Sequence, residues 1–240
     1  MSSWFDACLS RIDELLDHID DPEAVQDVMA ILQAPPMDVE SIAHLRLYAE
    51  TLPRAEAYPL TPARRHLHFL WDVFDKLPLC LSVSFAIPFR RALAKRLFGA
   101  CGAAFTAEEN VRFNFAQLIR VGDNVFCNRN VFLDAKGGID IGDGVALAED
   151  VRIFTHTHGE ASHIERTYKP VTIGPYAKIY CGAVLLPGVT VGAQAIVAAG
   201  SLVTHDVPDN MVAAGRPATV LRERRTEGRE GPELEHIWLF

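Results

Sequence analysis

Between Val171 and Pro208 a large aliphatic residue returns every six positions: Ile173, Ile179, Leu185, Val191, Val197 and Val203. Four positions after each stands a small or β-branched residue, Ala177, Ala183, Val189, Ala195, Ser201 and Val207. Gly174 and Gly192 follow two of the aliphatics, and Pro187-Gly188 marks a turn. A six-residue period matches neither the 3.6 of a helix nor the 2 of an alternating strand. It fits a solenoid in which each coil is three short strands, each sending one aliphatic inward.

The period extends upstream with interruptions. Val121, Cys127, Leu133 and Ile139 keep the step, then the phase jumps by two to Ile141, Leu147 and Ile153. A regular coil is 18 residues, whereas Val121 to Ile141 is 20, which predicts a bulge near Gly137-Gly138. Position 159 should carry the next hexad, yet the next clear start is Ile173, leaving an insertion of 14 residues rich in His, Thr and charge. This reads as a loop leaving the coil, and loops on a rigid scaffold are where sites concentrate.

The N-terminal part follows a helical period. Phe5, Leu9, Ile12, Leu16 and Ile19 form one apolar face. Asp20-Asp21-Pro22 ends that helix and caps the next, which carries Val25, Val28, Ile31 and Leu32 up to Pro35-Pro36. Ile42, Leu45 and Tyr48 suggest a third piece. Thr61-Pro62 opens a helix through Leu67, Leu70, Val73 and Phe74, and another carries Arg90, Arg91, Lys95 and Arg96 among Leu93, Leu97 and Phe98. The resulting division is a helical extension over 1–52, a helical segment over 53–110, a solenoid over 111–221 and a tail over 222–240. The extension is expected to cover one end of the solenoid; a partner-binding module is the alternative. The basic helix could also lie on a membrane surface. The apolar end Ile237-Trp238-Leu239-Phe240 is expected to dock on the protein itself or on a neighbouring subunit.

Composition narrows the partners. A formal charge of −8 over 240 residues argues against a nucleic-acid backbone. The five cysteines, Cys8, Cys80, Cys101, Cys127 and Cys181, are scattered and form no CxxC pair, as in a reducing compartment. The N-terminus lacks a basic stretch before an apolar one, and the apolar run Leu77–Phe89 is too short to span a bilayer. A cytoplasmic location is expected.

The hexads resemble the hexapeptide repeat of left-handed β-helix proteins, and within that superfamily the galactoside and maltose O-acetyltransferases. "LAKRLFGACG" (93–102) and Asn210–Pro217 resemble that family's entry to and exit from the coils. The resemblance covers about residues 55–222. It implies a mainly β fold, a left-handed parallel β-helix with an α-helical N-terminal region. It also implies a homotrimer and transfer of an acetyl group from acetyl-CoA to a hydroxyl of a sugar or sugar-like acceptor, with no metal.

Residue by residue, the resemblance assigns His158, in Thr155-His156-Thr157-His158-Gly159, as the general base; histidine titrates near working pH and suits that task. His156 and His163 are secondary candidates. Asn128, within Gly122–Asn130, corresponds to an acceptor-binding asparagine whose carboxamide can donate and accept together. Asn114 falls on another acceptor contact. Asp134 resembles the Asp of a Leu-Asp pair that contacts acceptor, here one residue out of register; an Asp that stabilises a turn is the other reading. For coenzyme A the resemblance points to Cys181, Ala199, Thr204, His205 and Arg222. The chain departs from the family pattern there: Cys181 replaces Ser, His205 replaces Lys, Thr219 replaces Arg, and Lys178 and Tyr180 stand where Trp and Gly are common. His158 and Asn128 are expected to face one cleft, completed by a neighbouring subunit.

Two other functions fit parts of the pattern. His158 and His163 are spaced like metal-binding histidines of the γ-class carbonic anhydrases, which share the β-helix, but no third histidine occupies a hexad of a neighbouring coil. A non-catalytic interaction scaffold is the other alternative, given the helical extension and the altered coenzyme A positions.

Overall fold

The computed structural model describes residues 4–234. Ile237–Phe240, the apolar end expected to dock, lies outside the described residues. The chain forms two compact units, 1–97 and 98–240.

The first unit is helical: α1 (Trp4–Leu16), α2 (Pro22–Ile31), α3 (Val39–Ala43), α4 (Pro62–Phe74) and α5 (Val83–Leu97). The caps fall where the sequence places them. The Asp21 carboxylate accepts the Glu23 N–H ahead of Pro22, and the Thr61 hydroxyl accepts the Arg64 N–H ahead of Pro62. Ile12, Val25 and Val28 are buried, as are Leu70, Trp71, Phe74, Phe85 and Phe89. The boundary expected at 52/53 falls inside this unit: Phe5 packs on Phe85, His66 Nδ1 bonds the Ile19 carbonyl, and Arg65 pairs with Glu50 at 2.6 Å. The basic residues of α5 are partly used inside the unit. Arg90 is buried against Asp75 and over the Phe74 ring, and Arg96 bonds Asp13 of α1 and Asp17 just past its end. Among the described residues no helix is long and apolar enough to cross a membrane.

The second unit is the solenoid. Strands, most of two or three residues, make three sheets of five, seven and five strands, parallel apart from the last strand of the seven, and these form the three sides of the coil. The first side aligns Cys101, Val121, Ile141, Ile173 and Val191. The second aligns Ala107, Cys127, Leu147, Ile179 and Val197; the third aligns Phe113, Leu133, Ile153, Leu185 and Val203. The hexad aliphatics from Val121 to Val203 are all buried, each contributing on the order of 1.5–3 kcal/mol from burial. Cys127 belongs to this stack, and burial pushes its thiol up to about 12, so it is an inert core residue. The first coil begins at Ala100, earlier than the start expected at 111.

Close stacking explains the glycines. A Cβ on Gly174 would lie 2.5 Å from the Ala193 nitrogen of the next coil. At the same corner Asp123, Asp143 and Asp209 accept backbone N–H groups from Ala103, Asp123 and Ala193 at 2.6–2.7 Å. The seven-stranded side ends in Ala218–Glu223, which folds back antiparallel on Met211–Gly215.

The insertion is a β-hairpin rather than an irregular loop. His156–His158 pairs antiparallel with Arg166–Tyr168. It leaves the coil beside the expected bulge, where Gly138 has φ +98°. A Cβ on Gly137 would stand 2.5 Å from the Thr155 oxygen and 2.8 Å from that of Lys169, both backbone atoms at the hairpin base. Gly137→Ala is therefore expected to cost about 1–3 kcal/mol, the usual penalty of overpacking, read as a lower denaturant midpoint.

Candidate functional site

His158 lies on the first hairpin strand, half-buried. Its Nδ1 is 2.7 Å from the carbonyl oxygen of His163, and the two rings stack in parallel at 3.8 Å. A carbonyl only accepts, so Nδ1 carries the hydrogen and donates it. The neutral ring then presents Nε2 as a free lone pair, the form needed to take a proton.

Asp134 is buried, and both of its carboxylate oxygens are engaged. Oδ1 is 2.8 Å from Lys136 Nζ, and Oδ2 is 2.5 Å from His156 Nδ1. Each oxygen of the carboxylate is thus already engaged once by a neighbour within the chain. Asn114, alongside it, is also buried, and its carboxamide oxygen accepts the Ala135 N–H at 3.0 Å. It holds the turn that leads into the bulge.

The remaining candidates divide between two edges of the prism. Asn128, Cys181 and Ala199 follow strands of the second side and stand at its corner with the third. The backbone ladders tie this corner together: Asn128 N to Leu147 O, Tyr180 N to Val197 O, and Gly200 N to Cys181 O, all at 2.8–2.9 Å. Cys181 and Ala199 are exposed. Thr204 and His205 follow a strand of the third side and stand at its corner with the first, the corner from which the hairpin that carries His158 departs. Thr204 Oγ1 and His205 Nδ1 are 2.9 Å apart. The stretch 128–134, which forms the side between the two corners, spans up to about 20 Å at the rise of an extended strand. Arg222 lies on the antiparallel edge strand, exposed, donating to the Glu223 carbonyl at 2.9 Å.

Beside Asn128 lies a cavity of about 270 Å³ lined also by Lys178, Tyr180 and Arg224. Lys178 Nζ donates to the Gly144 carbonyl at 2.9 Å. Burial, with Arg224 adding repulsion, brings its ammonium down to about 8. Arg224 donates to the carbonyls of Tyr176 and Gln194. The sequence marks Lys178 only as a departure from a pattern. Arg224 belongs to a charged tail without periodicity, so nothing local announced it. Among the described residues no group of three or more His, Cys, Asp or Glu side chains is placed to hold a metal ion.

Residues 170–205 match the bacterial transferase hexapeptide (six repeats) family. The galactoside O-acetyltransferase of Escherichia coli (strain K12) is 34% identical over 138 residues, covering 56% of this chain and 68% of that protein. The chain belongs to the hexapeptide-repeat acetyltransferases. The crystal structure of a maltose O-acetyltransferase from Clostridium difficile 630 superposes with a TM-score of 0.62 at 27% identity, covering 78% of this chain and 96% of that one. A Vibrio cholerae hexapeptide-repeat acetyltransferase complexed with acetyl coenzyme A gives 0.58 at 28% identity, covering 79% and 100%. The solenoid is accordingly the left-handed β-helix of these acetyltransferases.

Proposed function

We propose that this acetyltransferase moves an acetyl group from acetyl-CoA to a hydroxyl of a carbohydrate acceptor, with His158 as general base, in sites shared between subunits of a homotrimer. The observation that carries the reading is the fixed tautomer of His158, which leaves Nε2 free. As the acceptor oxygen attacks the thioester carbon, Nε2 takes its proton. The same nitrogen then returns that proton to the departing thiolate sulfur of coenzyme A. Asn128, donating and accepting through one carboxamide, holds the hydroxyl in line. Backbone groups near Cys181 and Ala199 bond the pantetheine amides, and Thr204, His205 and Arg222 meet the polar and phosphate end.

Separation of these groups onto two edges supports the trimer. A heterologous contact that sets one edge of each copy against the other edge of the next closes into a ring, and a three-sided prism suits a threefold axis. The unpaired cysteines fit a cytoplasmic setting.

Light scattering should give about three times 26.5 kDa; a monomer at micromolar concentration would remove the shared site. Asn128→Ala should mainly weaken acceptor use. Co-refolding Asn128→Ala with His158→Ala chains should restore function at about a quarter of the interfaces, those that pair an intact Asn128 with an intact His158. No recovery on mixing would place both residues within one subunit's site. Acetyl-CoA with a panel of sugars and a thiol reporter tests the transfer itself, and the absence of acceptor-dependent thiol release from every sugar would overturn it.

A further inference from the structure

The hairpin carries a second histidine whose surroundings are built with more care than a surface residue needs. His156 and His158 lie on the same face of their strand, two residues apart. Their rings meet edge to face, 5.3 Å apart at 70°. Tyr168, opposite His156 on the partner strand, stacks on it at 6.3 Å and 22°. Beneath is the buried Asp134 carboxylate, held by Lys136 on one oxygen and by His156 Nδ1 on the other. At 2.5 Å two lone pairs would repel, so Nδ1 carries a hydrogen toward Asp134, although the contact lies off the ideal N–H direction. Asp134 also grips the backbone: its carbonyl accepts the Thr155 hydroxyl at 2.5 Å, and the same hydroxyl oxygen accepts the Gly137 N–H at 2.7 Å.

We propose that the buried Asp134 and the half-buried His156 form a positioning pair for His158, fixing the ring of the base and keeping a neutral surface against it. The proposal rests on the reading of His158 as the base. His158 is clamped from two directions: its own Nδ1 and one ring face by His163, and its other flank by the His156 ring that Asp134 holds. Asp134, buried at the end of the rigid third side, thus transmits the position of the solenoid to the hairpin.

Charge is balanced in the same cluster. Lys136 and Asp134 cancel, and a neutral His156 leaves no net charge beside the base. The groups facing His156 are Asp134 and Lys136 from the third side, His158 from its own strand and Tyr168 from the partner strand. Burial of the ring holds His156 below its ordinary range; Asp134 opposes this and Lys136 reinforces it. His156 is therefore neutral at neutral pH. As the pH falls through its ionisation it gains a proton, and the new imidazolium repels a second proton from His158. Activity should then fall on the acid side through two coupled steps rather than one.

The test compares wild type, His156→Ala and His156→Asn. The asparagine amide nitrogen can occupy the place of Nδ1 and keep the bond to Asp134. Nitrogen-15 NMR of the imidazole rings reads the tautomer and titration of His158 without any substrate. Both variants should move the His158 titration, and the alanine variant should also lose its single Nδ1–H tautomer. In transfer assays His156→Ala should lower kcat by about 10- to 100-fold, as expected for a misplaced catalytic group, with KM for acetyl-CoA unchanged. His156→Asn should recover most of kcat and reduce the acid limb to one step. An unchanged His158 titration in both variants overturns the proposal, as does an unchanged pH profile of kcat in His156→Ala. Should wild-type protein acetylate no sugar while the NMR shifts appear, the pair stands and the assignment of the base falls.

Discussion

His158→Ala is expected to lower kcat by about 10²–10⁴-fold, the usual contribution of a positioned general base. A sugar hydroxyl is a poor nucleophile until its proton leaves, and Nε2 of His158 is the acceptor that the His163 carbonyl holds in the right tautomer. Acetyl-CoA should still bind, because the groups assigned to it lie on other turns of the coil. The double variant with Asn128→Ala should be little worse than His158→Ala alone, since residues that act as a unit lose their effect together. Steady-state kinetics on a sugar that wild type acetylates checks this. Wild-type turnover by His158→Ala would move the base elsewhere.

Asp75→Ala should destabilise the helical unit by about 3–5 kcal/mol, the cost of stranding one member of a buried ion pair. Asp75 and Arg90 are nearly inaccessible, at 4% and 2%. Arg90 also lies over the Phe74 ring, 5.0 Å from its centroid, inside a cluster with Phe85 and Phe89. Without the carboxylate, the buried guanidinium loses its ion-pair partner, and either water must enter or the cluster must open. Replacing both partners by apolar residues of similar volume should restore most of the loss, because desolvation offsets much of the attraction of a buried pair. Denaturant unfolding followed by the near-ultraviolet signal of Trp71, which is buried in this unit, separates these outcomes. A loss under about 1 kcal/mol for Asp75→Ala would show that water reaches Arg90.

The hexads made the solenoid legible because a coil repeats its own burial pattern locally. Each inward aliphatic is followed six residues later by another, so period alone locates Ile173, Ile179 and Leu185 on three different sides. The bulge at Gly137-Gly138 showed as a phase jump, and the helix caps at Asp21 and Thr61 showed as short signals. His158 and Asn128 were readable only through resemblance to a family. What the pattern did not carry was set by contacts distant in sequence. The insertion has strand pairs but no hexad, so it read as a loop and folded as a hairpin. Asp134 read either as an acceptor contact or as an acid that stabilises a turn. It is sealed because Lys136 and the hairpin's His156 close over it, and no spacing encodes that meeting. Arg65 with Glu50, and Phe5 with Phe85, join segments that looked separate in sequence. The sequence by itself determined the coil, its period and its interruptions, since these depend on neighbours one strand away. The tertiary structure alone decided which edge of the prism each polar residue occupies and which charges are buried together, because those follow from the path of the whole coil.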